Sequence, residues 1–83
     1  MGIISNTMKY RYLNRGGNSN VASYIIGADN ITVQFNDGSV YLYDYASTSI
    51  TRVEHMKSLA SKGVGLNSYI GRVVRKNYAK KLR

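Results

Sequence analysis

Tyr41, Tyr43 and Tyr45 recur at a spacing of two in Val40-Tyr-Leu-Tyr-Asp-Tyr45. In an extended segment that spacing puts the three rings on one face. Rings displayed in this way hold single-stranded nucleic acid, because bases stack on them for about 1–3 kcal/mol each while basic side chains alongside track the phosphates. Lys62, Arg72, Arg75 and Lys76, all in the C-terminal third, are the candidate phosphate contacts. The competing reading is structural: a helix packs over the tyrosines, buries their bodies and leaves the hydroxyls at the rim. A second candidate is Ser61-Lys-Gly-Val-Gly65, running into a helix start at Asn67. Glycines there let backbone N–H groups converge, and a helix N-terminus favours a phosphate. The stretch is not a Walker A motif, and the reading favoured over an anion site is an interhelical turn closed by a cap glycine, though both can hold together.

Other chemistry is poorly supplied. His55, the one histidine, stands beside Glu54, a pairing that gives neither a metal-ligand set nor an oriented general base. Asp29 and Asp37 fall in turn sequences, where Asp has a local reason to be. With no cysteine there is no disulfide framework, thiolate metal site or thiol nucleophile. The expectation is therefore a protein that is not an enzyme and has no catalytic residue, metal or cofactor.

Charge points to the partner. Twelve Lys and Arg against four Asp and Glu give +8 over 83 residues, and the distribution is uneven. Residues 1–20 carry three bases and no acid, residues 21–50 three acids and no base, and residues 51–83 nine bases and one acid. Clustered positive charge attracts polyanions over about a Debye length, and nucleic acid is the commonest of these. No stretch approaches the roughly 18 apolar residues of a membrane span, and no apolar leader precedes the first strand. The chain is read as cytoplasmic, with no membrane partner.

The element that must position the tyrosines is Ile31 to Tyr45, read as a β-hairpin on Asp37-Gly38, the strongest short hairpin signal. A two-residue turn pairs Phe35 with Val40, Val33 with Leu42 and Thr32 with Tyr43. One face then carries Ile31, Val33, Phe35, Val40 and Leu42, and the other Thr32, Gln34 and the tyrosines. A three-residue turn with a bulge would shift the pairing by one and mix the two sets. Val21 to Ile26 precedes this hairpin as a strand, and the pattern leaves open which face Tyr24 takes. Ile50, Val53, Met56, Leu59 and Ala60 fall at helical spacing, with a capping box available at Thr51 and Glu54 and a stop at Gly63. Leu66, Tyr69, Ile70, Val73 and Val74 cluster on one side of a second helix, opposite Arg72, Arg75 and Lys76.

The expected fold is α+β: a three-stranded antiparallel β-meander at about 21–26, 31–36 and 39–45, followed by helices at about 49–62 and 66–78. Residues 1–18 are expected as a flexible basic arm, with Lys9 to Leu13 able to add an edge strand. Residues 19–83 form the single domain, ending in a short solvated basic tail.

Gly38-Ser-Val-Tyr-Leu-Tyr43 and Ser61-Lys-Gly-Val-Gly-Leu-Asn67-Ser-Tyr-Ile70, in that order and spacing, resemble the KTSC domain. That domain is named for the C-terminus of some lysyl-tRNA synthetases and also occurs as a free-standing small protein. The resemblance covers roughly Ser19 to Tyr78; the chain has Ala46 to Ser49 where that family often has a Pro, and it lacks the family's Tyr-Asp turn after the first strand. It implies the fold more firmly than a task, since no activity is established for the family and RNA binding has been suggested for it. Together the residues and the resemblance predict a nucleic-acid-binding domain, with RNA favoured over DNA. Its contacts would be Tyr41, Tyr43, Lys62, Asn67, Arg72, Arg75 and Lys76. The alternative is a protein interaction or homodimer module using the tyrosine face.

Overall fold

A computed structural model describes residues 9–13 and 19–83. Strands β1 (Lys9–Arg11), β2 (Val21–Ile26), β3 (Asn30–Phe35), β4 (Val40–Asp44) and β5 (Lys80–Lys81) form one antiparallel sheet whose spatial order is the sequence order. Helix α1 (Ile50–Lys62) and helix α2 (Leu66–Tyr69), which runs into a π-helical turn over Ile70–Val74, lie on one face of it. The class is α+β, and the meander has five strands where three were expected.

The hairpin register differs from the two-residue reading by one. Ile31 pairs with Tyr43, Thr32 with Leu42, Val33 with Tyr41 and Gln34 with Val40. The loop is Asn36-Asp37-Gly38, closed by the Gly38 N–H to the Phe35 carbonyl at 2.9 Å and the Phe35 N–H to the Ser39 carbonyl at 2.8 Å. Only Gly38 takes a positive φ, 91°, so Asp37 is spared the left-handed conformation that a two-residue type I′ turn demands of both central residues. Asp37 Oδ1 accepts from the Ser39 N–H (2.9 Å) and from the Ser39 hydroxyl (2.6 Å), fixing the wider loop. The consequence is a change of faces: Tyr41 and Tyr43 join Ile31 and Val33 on the helix side, while Val40 and Leu42 join Thr32 and Gln34 on the open side. Rings bury more area than Val and Leu side chains, and a small domain gains most from putting them inside. Tyr24, opposite Val33, is also on the helix side.

Both ends of the described chain are sheet edges. Lys9 to Arg11, expected within the flexible arm, pair with β2, and Tyr12 is buried in the core. The Tyr12 hydroxyl accepts the Leu66 N–H at 3.2 Å, satisfying one of the donors left over at the start of α2. The rest of the expected arm, 1–8 and 14–18, lies outside the described residues. At the other end, Lys80 and Lys81, expected as a solvated tail, pair with Leu42 and Tyr41 as β5. The Ala79 N–H to the Leu42 carbonyl and the Leu82 N–H to the Val40 carbonyl, each 2.7 Å, hold this return in place.

Helix α1 is capped by Ser49, whose hydroxyl accepts the Arg52 N–H at 3.3 Å, in place of the Thr51 box. Val53, Met56 and Ala60 are its buried stripe, while Ile50, expected on that stripe, is exposed. Gly63 closes the helix at φ 76°, its N–H shared between the Leu59 and Ala60 carbonyls. A Cβ there would stand 2.5 Å from the Leu13 side chain, so the close approach of Leu13 also calls for glycine. The second helix, expected to reach about residue 78, ends at Val74. Its last turn widens so that the Arg75 N–H bonds the Ile70 carbonyl, and the chain then reverses at Arg75-Lys76. Reversal lets Tyr78 pack on Tyr41 and the Thr48 hydroxyl donate to the Asn77 carbonyl at 2.6 Å, contacts a longer helix would forfeit.

Candidate nucleic-acid interface

The tip of the β3–β4 hairpin and the end of the second helix enclose a groove of about 720 Å³, within the range of ligand sites. Its floor is aromatic. The Tyr41 ring centroid lies 4.7 Å from that of Tyr78 and 5.7 Å from that of Phe35, both edge-on, and 6.5 Å from that of Tyr43. One wall is Asn36, Asp37 and Ser39 of the hairpin with Asn20 beside them; the other is Asn67, Ile70, Arg75 and Lys76. Lys81 Nζ sits 5.8 Å from the Tyr41 centroid at the edge of the floor.

Of the expected contacts, Tyr41, Tyr43, Asn67, Arg75 and Lys76 therefore meet in one place. Lys62 and Arg72 are exposed but do not line the groove. The rings are not equivalent. Tyr43 is 2 % exposed, and burial, reinforced by the neighbouring Tyr41 and Tyr78, pushes its hydroxyl pKa far above the ordinary value. It is a neutral wedge under the groove. Tyr41, Tyr78 and Phe35 are half-buried and supply the ring surface that a ligand can reach.

Arg75 is held there at a conformational cost. The Asn77 N–H bonds the Val74 carbonyl at 3.0 Å, making a four-residue turn in which Arg75 has φ 51° and ψ −119°. Those angles belong to the first central position of a type II′ turn, which glycine normally occupies. Strain of this kind costs about 1–3 kcal/mol, persists only where the surroundings impose it, and clusters at functional positions. The π-helical turn immediately before it is another such feature.

The groove is electrically polarised. Arg75 and Lys76 on its wall, and Lys81 beside the Tyr41 ring, are cationic, while at the hairpin end the two Ser39 hydrogen bonds hold the Asp37 carboxyl below the ordinary carboxylate range and keep it ionised. The side-chain amides of Asn20 and Asn67 make no hydrogen bond within the described residues, and Asn36 uses only its Nδ2, toward the Ser19 carbonyl at 3.3 Å.

Other expectations resolve differently. Tyr45 is a strut: its hydroxyl donates to Glu54 at 2.6 Å, and Lys57 Nζ lies 5.7 Å from its ring while pairing with Glu54 at 2.8 Å. The Ser61–Gly65 stretch is a closed interhelical turn, because the Gly63 and Leu66 N–H groups already have partners and Gly63 lies under Leu13. Thr32 and Gln34, expected beside the tyrosines, line a shallow depression of about 330 Å³ on the open face with Ile25, Val40 and Leu82. His55 packs its ring on Tyr69, 4.5 Å between centroids. Among the described residues, no three His, Cys, Asp or Glu side chains gather as a metal site, and no helix is long and apolar enough to cross a membrane.

Comparison with family models, curated proteins and solved structures gives no match. Sequence reasoning missed Tyr78 and Phe35 as groove residues, and Lys81 as the cation beside the Tyr41 ring. The available signal for Tyr78 was an aromatic set among bases in Arg75-Lys-Asn-Tyr-Ala-Lys80. Phe35 was assigned to the core by the register, and Lys81 to the solvated tail.

Proposed function

We propose that this protein is a non-catalytic domain that binds single-stranded nucleic acid in the groove between the hairpin tip and the turn at Arg75. The observation that carries the reading is the meeting of an accessible aromatic floor, Tyr41, Tyr78 and Phe35, with Arg75, Lys76 and Lys81 at one site. Rings that stack bases beside cations that take phosphates are the common solution for unpaired strands. The placement of an arginine at a strained turn position supports the same conclusion. RNA as the preferred strand and membership of the KTSC family remain part of the proposal on the strength of the sequence resemblance, and a cytoplasmic setting on the lack of an apolar leader or membrane-length segment in the sequence; none of the three rests on the groove.

Titration of a labelled single-stranded RNA at several salt concentrations tests it. Three groove cations predict a log-log slope near −2, at roughly 0.7 per neutralised phosphate on a single strand. Tyr41→Ala should weaken binding about 5- to 150-fold, the span of 1–3 kcal/mol per stacked base. Absence of salt-dependent binding at low ionic strength would overturn the reading. A protein-concentration-dependent dimer that leaves RNA unbound would point to the interaction module instead.

A further inference from the structure

We infer that the groove discriminates among bases, taking those with an exocyclic amine in preference to uracil, and that Asp37 is the residue that decides. The inference rests on the nucleic-acid reading of this groove.

The argument is one of hydrogen-bond inventory. Arg75 and Lys76 can only donate, and the amides of Asn20 and Asn67, like the hydroxyls, can both donate and accept. Groups that do both can meet either edge pattern and select nothing. Asp37 is the one carboxylate on the groove wall, and an ionised carboxylate accepts only. It is kept ionised by the Ser39 hydroxyl and N–H. Both bonds fall on Oδ1, and Oδ2 has no hydrogen-bond partner among the described residues. Lys81 is near enough to favour the charged form but makes no ion pair with it. Because Asp37 lines the same groove as Phe35, Tyr41 and Tyr78, its accepting oxygen is assigned to the Watson–Crick edge of a base stacked on those rings. Cytosine brings its N4 amine to that oxygen, a pairing that Asp makes readily, whereas uracil brings the O4 carbonyl and two acceptors oppose each other. The two pyrimidines have similar stacking surfaces, so the difference between them isolates the edge contact.

The test measures the affinities of oligocytidine and oligouridine of equal length at neutral pH and low salt, by anisotropy of an end label, for the native chain and for Asp37→Asn. The asparagine keeps a side-chain oxygen for the Ser39 N–H, so the loop should be retained, and circular dichroism checks this. The native protein should bind oligocytidine about tenfold more tightly, the worth of one hydrogen bond to a charged group. Asp37→Asn should abolish or reverse the preference, because with the side-chain oxygen kept by Ser39 the atom presented to the base is Nδ2, which donates to O4 and cannot accept from N4. Loss of a negative charge will raise both affinities together, which leaves the ratio as the readout. Equal native affinities, or a preference that survives Asp37→Asn, would overturn the inference while leaving nucleic-acid binding intact. Failure of both oligomers to bind with salt dependence would overturn the binding reading itself, and this inference with it.

Discussion

Arg75 sets two demands against each other. Its backbone conformation suits glycine, while the proposed binding of phosphate in the groove uses its guanidinium. Replacement by glycine should release the strain and stabilise the fold by about 1 kcal/mol, read as a higher midpoint of thermal unfolding. The same variant should bind single-stranded RNA more weakly and with a salt slope reduced by about 0.7. A lower unfolding midpoint would show that the turn is not strained in solution. At this scale the sequence was informative about chemistry and uninformative about place. Arg75 and Lys76 were readable as basic residues on a helix face, but the turn that carries them depends on Tyr78 and β5 packing back onto β4. Those contacts join residues about forty positions apart, and no local pattern reports them. Lys62 and Arg72 belonged to the same set by charge alone, and charge alone does not choose among surface positions.

The hairpin shows what periodicity can and cannot do. Alternation located β3 and β4 almost to the residue, yet the face assignment came out reversed for β4 because one loop residue decides it. Tyrosine makes that ambiguity possible, since a ring with a hydroxyl is acceptable on a solvated face or a buried one. The aliphatic partners Val40 and Leu42 read as core and are in fact half-exposed. The edge strands were harder still. Three residues in β1 and two in β5 are too short for any periodicity to be heard, and what holds them is pairing with neighbours already in the sheet. For β5 this can be measured. Removal of residues 80–83 deletes the Leu82 N–H bond to Val40, the Val40 N–H bond to the Arg83 carbonyl and the strand pairing opposite Leu42 and Tyr41. At roughly 1 kcal/mol per backbone bond, unfolding in urea should show a loss of about 1–3 kcal/mol. An unchanged midpoint would mean that the return strand adds nothing to the fold.

For the whole molecule, the titratable groups define a pH window. Hydrogen bonds from Ser39, Ser47 and Lys57 hold the carboxyls of Asp37, Asp44 and Glu54 below their ordinary range. Their contribution to stability is complete above about pH 4 and disappears as pH falls through the depressed values. Tyr24 and Tyr43 are shifted the other way, chiefly by burial. Their contribution is complete below about pH 10 and disappears as pH rises beyond it, when the buried hydroxyls must ionise on unfolding's side of the equilibrium. Urea midpoints should therefore form a plateau between about pH 5 and 9 and fall on both sides, with the alkaline fall weakened in Tyr43→Phe. A midpoint that stays level above pH 10 would contradict the burial of these rings. The overall class was legible because hairpin, helix and cap signals are local. The dimensions of the sheet were not, because they depend on chain ends that look like solvated arms.

One of those chain ends carries one more consequence. Among the described residues the strand outside β4 is Lys80-Lys81, two exposed cations, so this border of the sheet repels the same border of another molecule. Lateral recruitment of a neighbour's strand, the first step toward a fibre, is opposed at that border by charge. Concentrated salt screens that repulsion. High salt, predicted also to weaken the proposed binding of nucleic acid, is thus the condition in which storage of the purified protein calls for most care.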